Sequence, residues 1–314
     1  MENKIKDLMS DSKHDEALRL LLQTEKNYLL KVQCLYELNK YEQLNSFFEE
    51  VVDKIEEDYF EILGFYVLSL IETKRFDTAL NILNEELSMP YIEMDYQEII
   101  NSLYDDVVAQ KQIYLIEEGV YETNLKEEDV AKILESEEDY TELLNTIMKL
   151  DDFNIRKLLS SIAIFLKNDN SPILKTFILE VLIRQQINED FEVIKNNDLI
   201  MFTPVASDLV ISDLNYIKTV QLLEDHLAKQ PSYLSMALDV LMSYAYILYP
   251  HLIEEEQINL VAATIEYYIL SLNYEDIDGE FEEYYHVSED AIESSTQKLI
   301  EILKDEERFS YGEY

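Results

Sequence analysis

Between Tyr59 and Pro90 two apolar patterns of helical period follow one another with only a short polar break between them. Ile62, Phe65, Tyr66, Ser69 and Leu70 recur at the three-and-four spacing that builds one helix face, and Phe76, Ala79, Leu80, Leu83 and Leu87 repeat it. Glu72-Thr73-Lys74-Arg75 separates the two runs, and Pro90 stops the second because its ring cannot continue helical hydrogen bonding. Two helices joined this closely must fold back on each other. Ala79 sets how near they come: a methyl group at the centre of a bulky face lets a neighbouring backbone approach.

The rest of the chain supports the same class of fold. Four glycines and five prolines in 314 residues leave little turn chemistry for an all-β protein and no Gly-rich loop to cradle phosphate. An apolar fraction of 47% supplies a sizeable core, so the expectation is an all-α globular chain. Its formal charge is −41, from 66 acidic against 25 basic side chains, which repels nucleic acid and favours a basic protein or peptide as counterpart. Cys34 is the only cysteine, so an intrachain disulfide is impossible and a reducing compartment fits. The first twenty residues carry charges throughout, unlike a signal peptide, and the longest nearly uncharged stretch, Pro231 to Ile253, holds Asp239 and is broken by Pro250. We therefore expect no membrane span and a cytoplasmic protein.

Three turns share one pattern. DSKHDEAL, LNKYEQL and ETKRFDTAL each place a ring (His14, Tyr41, Phe76) three residues before a small or apolar residue (Ala17, Leu44, Ala79). These residues resemble the tetratricopeptide-repeat (TPR) family, whose turn carries an aromatic followed three positions later by Ala, and the 35 residues from Tyr41 to Phe76 lie close to that family's period of about 34. The family's turn glycine is missing, and His14 to Tyr41 is only 27 residues. The resemblance covers roughly residues 1 to 90 and implies a superhelical scaffold that binds a peptide or protein segment. Periodicity and turn residues themselves give helix pairs 2–9 with 13–24, 27–38 with 41–55, and two helices within 59–90, followed by a helix over 92–117.

Gly119 and the polar ETNLKEED place a boundary near residue 120, so the expected domains are TPR-like repeats over 1–120 and a second helical domain over 121–314. Helices are expected over 126–135, 139–150, 153–167 and 172–186, the last with Ser171 as cap and Pro172 at its first position. Then the period changes. Phe191–Lys195 and Asp198–Phe202 flank Asn196-Asn197, a pair that tolerates positive φ, and read as an inserted β-hairpin near 190–203. Helices follow over 213–229, 232–248 and 254–270, with 232–248 expected at the centre of the domain because it is apolar nearly all round. A polar loop is expected over 273–287, a last helix over 288–304 and a frayed end beyond. The segments FEVIKNNDLIMFTP and MSYAYILYP resemble a family of TPR-like proteins of unassigned function in Gram-positive bacteria; that resemblance implies fold and compartment only.

Catalytic spacing is missing. His14, His226, His251 and His286 are far apart, so helix-borne zinc ligation has no support. In the stretch around Asp276-Ile277-Asp278-Gly279, setting Gly279 at a calcium loop's sharp turn puts Tyr274 and Tyr285 where the first carboxylate and the bidentate Glu belong. No metal or cofactor is expected, no serine has nucleophile-elbow glycines, and Cys34 reads as a core residue. One region stands out: between Lys229 and Lys298 there is no Lys or Arg, while fourteen carboxylates and nine tyrosines fall inside. Tyrosine faces add cation–π contact to carboxylate attraction, so Tyr274, Glu275, Asp276, Asp278, Glu282, Glu283, Tyr284 and Tyr285 are the candidate partner-binding residues. The function expected is a non-enzymatic scaffold for a peptide or basic protein segment. A peptide-sensing regulator and an enzyme with an unrecognised site are the alternatives, and the oligomeric state is left open.

If Ala79 faces its partner helix, Ala79→Trp should destabilise the fold by about 1–3 kcal/mol through overpacking, read from the denaturation midpoint. An unmoved midpoint would place Ala79 on an open face.

Overall fold

A helix that turns back sharply leaves its last carbonyls without partners, and the turns inside the first three helix pairs of this chain solve that problem identically. The computed structural model describes residues 2–24, 27–55, 57–90, 92–118, 125–136, 139–272 and 280–311, with backbone alone at 2–3, 280–282 and 310–311. Helices α1 (Glu2–Ser10) and α2 (His14–Leu21), α3 (Tyr28–Glu37) and α4 (Tyr41–Val51), and α5 (Tyr59–Glu72) and α6 (Phe76–Ser88) form the three pairs. In each turn one residue takes positive φ: Ser12 at 58°, Asn39 at 53° and Lys74 at 62°. The next residue's N–H then reaches back five positions, Lys13 to Leu8 O (2.8 Å), Lys40 to Leu35 O (2.9 Å) and Arg75 to Leu70 O (2.8 Å). This is the Schellman ending, made here without the glycine that would adopt it freely.

Behind these turns Ala17, Leu44 and Ala79 are fully buried. Each helix packs on its successor, and α3 also lies beside α5 and α5 beside α7 (Met94–Glu117). Rings fill the contacts between them: Tyr36 meets Phe65 edge-on at 5.6 Å, and Phe60 stacks on Tyr96 at 4.2 Å. Together with residues 152–154 these helices make one compact unit, 1–124. Residues 152–154 lie against α7, where Asn154 Nδ2 donates to Asp105 Oδ1 (3.1 Å) and Gln112 Nε2 donates to Asp152 O (2.9 Å). That excursion explains why the expected helix over 153–167 starts only at Leu159, after a 3₁₀ turn at Ile155–Lys157.

The second unit, 125–151 with 155–314, holds α8 (Glu127–Glu135), α9 (Tyr140–Ile147), α10 (Leu159–Lys167), α11 (Pro172–Arg184), the hairpin, and five further helices. These are α12 (Leu214–His226), α13 (Pro231–Leu248), α14 (Ile258–Leu272), α15 (Glu280–Tyr285) and α16 (Glu289–Tyr311). The hairpin pairs β1 (Phe191–Lys195) with β2 (Asp198–Phe202), Phe191 opposite Phe202 and Lys195 opposite Asp198. Asn196 and Asn197 have φ of 51° and 66°, the signs a tight two-residue turn needs.

A lone hairpin is marginal in water, and this one is held by what its turn does to α13. Lys195 points inward and donates from Nζ to Thr176 Oγ1 (2.6 Å), Tyr246 O (2.8 Å) and Tyr249 O (2.6 Å). Asn196 Nδ2 takes Ile247 O (3.1 Å), and the His251 N–H takes Leu248 O (3.0 Å). The final carbonyls of α13 are thereby engaged, two of the acceptors by the Lys195 amine where the helix dipole is negative and the others by a side-chain amide and a backbone N–H. Burial pulls the Lys195 pKa well below the usual lysine value, with the Glu306 carboxylate acting in the opposite sense.

Three expectations are corrected. The more deeply buried helix of the second unit is α14 rather than the helix over 231–248: α13 packs on α11, α12, α14 and α16 and α14 on α12, α13, α15 and α16, but α14 buries Ile258, Val261, Ala262, Ile265, Glu266 and Ile269 among others, while α13 leaves Met236 and Met242 exposed. The supposed loop over 273–287 contains α15. The last helix does not fray after 304 but runs to Tyr311, because Glu306 is buried and accepts a hydrogen bond from the Ser171 hydroxyl at the start of α11.

Lys195→Met should cost roughly 3 kcal/mol or more, since it leaves buried carbonyls unmet where a charged donor stood. Urea denaturation measures this, and a loss below about 0.5 kcal/mol, the scale of a surface change, would show that Nζ does not hold the end of α13.

Candidate functional site

The acidic, tyrosine-rich region proves to be organised around one buried carboxylate. Glu266 is the only charged residue of α14 and sits on its buried face, 3% exposed, so it must find partners. His226, ending α12, places Nδ1 2.8 Å from both Glu266 oxygens, which requires Nδ1 to carry the proton it donates. The Tyr285 hydroxyl, from α15, donates to Glu266 Oε2. Burial and the neighbouring Glu266 charge raise the Tyr285 pKa, so the phenol stays protonated. Tyr284 stacks on His226 at 4.1 Å and 25°, and Tyr284 and Tyr285 meet edge-on at 4.9 Å.

Of the residues selected from the sequence, Tyr274, Glu275, Asp276 and Asp278 lie outside the described residues, and Glu282 is described by its backbone in α15 alone. Glu283 is exposed, and Tyr284 is 40% exposed with one ring face on His226. Tyr285 is 1% exposed and belongs to the core of the unit, where its hydroxyl is held by Glu266, so its ring is not open to a partner. Sequence reasoning missed the pairing of Glu266 with His226. The signal was present, a single charge inside INLVAATIEYYIL, but nothing in it names a partner forty residues away.

A cavity of about 260 Å³ lies at the start of α12, bounded by Asp213, Tyr216, Tyr244, His251 and Glu254 among others. Its two carboxylates already have structural work. Asp213 accepts from the Asn215 and Tyr216 N–H groups (3.0 and 2.8 Å) at the start of α12, and Glu254 forms a capping box with Gln257. Cys34 is fully buried, and burial pushes its thiol up to about 11, which suppresses the thiolate a nucleophile needs. Among the described residues no group of three or more His, Cys, Asp and Glu side chains is placed to hold a metal ion, and no helix is long and apolar enough to cross a membrane.

The sequence pattern of one protein family, described as protein of unknown function (DUF3196), matches residues 2–301. The chain belongs to the DUF3196 family. A relative, the TPR repeat-containing protein YsoA of Bacillus subtilis (strain 168), is 24% identical over 322 aligned residues that cover 96% of this chain and 92% of that protein. This DUF3196 chain is thus an all-α, TPR-like helical-repeat protein carrying one β-hairpin among its described residues.

Tyr285→Phe should cost about 2 kcal/mol, the worth of a hydrogen bond to a buried charge, whereas Tyr284→Phe should stay within about 0.5 kcal/mol. An equally small effect of both changes in thermal denaturation would refute the buried Tyr285–Glu266 bond.

Proposed function

We propose that this protein is a non-enzymatic interaction scaffold that takes a basic segment of a partner protein on its acidic surface. The observation that carries this reading is the helical-hairpin array of residues 2–117, joined to a charge of −41. Hairpin arrays bury their own apolar faces by stacking and leave an extended surface for another chain. Carboxylates supply attraction to a cationic segment, and an open tyrosine face such as that of Tyr284 supplies cation–π contact of roughly 0.5–2 kcal/mol. Asp225 and Glu283 are exposed carboxylates in the same part of the second unit. The cellular setting we propose is the cytoplasm.

The test is capture of Lys- and Arg-rich peptides by the full chain across a salt series, because exposed charges are screened beyond about 8 Å at physiological ionic strength. Capture should weaken as salt rises. Changing Glu275, Asp276, Asp278, Glu282 and Glu283 together to amides should abolish it with helical circular dichroism unchanged. Full retention in that variant would refute docking at this segment.

A further inference from the structure

In a helix interior a threonine hydroxyl ordinarily bonds back to a carbonyl one turn earlier, as Thr219 does to Asn215 O (2.7 Å) and Thr296 to Ile292 O (2.8 Å). Thr264 on α14 does not. It is 4% exposed, and its Oγ1 is buried with no hydrogen-bond partner. A buried hydroxyl left without a partner disfavours the fold unless something else meets it. Thr264 lines a cavity of about 230 Å³ whose apolar walls are Leu248 of α13, Val261 and Ile265 of α14, and Leu299 and Ile302 of α16. Three further residues with polar groups, Tyr244 of α13 and Ser295 and Lys298 of α16, line the same space.

The chemistry of the lining selects an occupant. Tyr244, Thr264, Ser295 and Lys298 give the space a few polar points, but most of its wall is apolar, and an apolar cavity of about 150 Å³ is large enough to take benzene. The space therefore suits an apolar body somewhat larger than that ring. Lys298 is the only Lys or Arg between residues 230 and 303, it is exposed, and among the described residues it has no ion pair. A cation and a free hydroxyl on one apolar cavity are complementary to an anionic acceptor joined to an apolar chain. We propose that this cavity is a binding site for a small amphipathic monocarboxylate with a short apolar chain. Its chain lies among Leu248, Val261, Ile265, Leu299 and Ile302, and its carboxylate accepts from the Lys298 ammonium and the Thr264 hydroxyl. The site is independent of the acidic docking segment, since it shares no residue with it.

Titration calorimetry of the full chain with octanoate and with 1-octanol, at physiological ionic strength, tests the proposal. Octanoate should bind saturably at one site, about tenfold more tightly than octanol, the difference a charge-assisted contact makes. Lys298→Gln, an exposed change that leaves packing alone, should remove that preference and leave octanol binding as it was. Thr264→Val should weaken octanoate, and Val261→Phe, which fills the space, should abolish both ligands. Absence of saturable octanoate binding to the unmodified chain would overturn the site. Equal binding of octanoate and octanol, or octanoate binding untouched by Lys298→Gln, would overturn the assignment to a carboxylate. Should Val261→Phe fail to fold, the Lys298→Gln comparison still decides.

Discussion

The carbonyl end of a helix cannot be left bare inside a packed protein, and most of this structure is arranged around meeting that demand. In the first unit the chain does it locally. Ser12, Asn39 and Lys74 accept a left-handed conformation so that the following N–H groups can reach back to Leu8, Leu35 and Leu70, and this reversal is what sets the next helix against its predecessor. Gln186, at φ 50°, ends α11 in the same way, with the Ile187 N–H on Leu182 O at 3.0 Å. For α13 the solution is tertiary: Lys195 and Asn196 arrive on a hairpin about fifty residues earlier in the chain to take Tyr246, Ile247 and Tyr249. The hairpin stabilises the helix end, and the helix end gives a two-stranded sheet a reason to persist.

On α14 two buried polar side chains stand in contrast. Glu266 is met by His226 and Tyr285, so its cost is offset inside the fold, and that cluster reads as architecture joining α12, α14 and α15. Thr264, on the same helix, is met by nothing and faces a cavity. Charge shows a similar division of labour. Asp139 and Asp213 cap α9 and α12, and Glu306 secures α16 on Ser171, so part of the acidity belongs to the fold and is not available to a partner. What is left on exposed helix faces supplies the field that would steer a basic chain.

Local order was legible from the residues because it is made by neighbours. Period of three and four located α5 and α6, Asn196-Asn197 located the hairpin to the residue, and Ser171-Pro172 located the start of α11. The aromatic at each turn and the small residue three positions on were enough to expect back-folded pairs, since both act within one turn of helix. Tertiary structure alone decided which face of an apolar helix is central, that Tyr285 turns inward while Tyr284 stays open, and that α16 continues to Tyr311. Those outcomes depend on partners 19, 40 or 135 positions away, as in Tyr285 with Glu266, His226 with Glu266, and Ser171 with Glu306. A charge alone in an apolar run announces that a partner must exist; only the folded chain brings that partner within hydrogen-bonding reach.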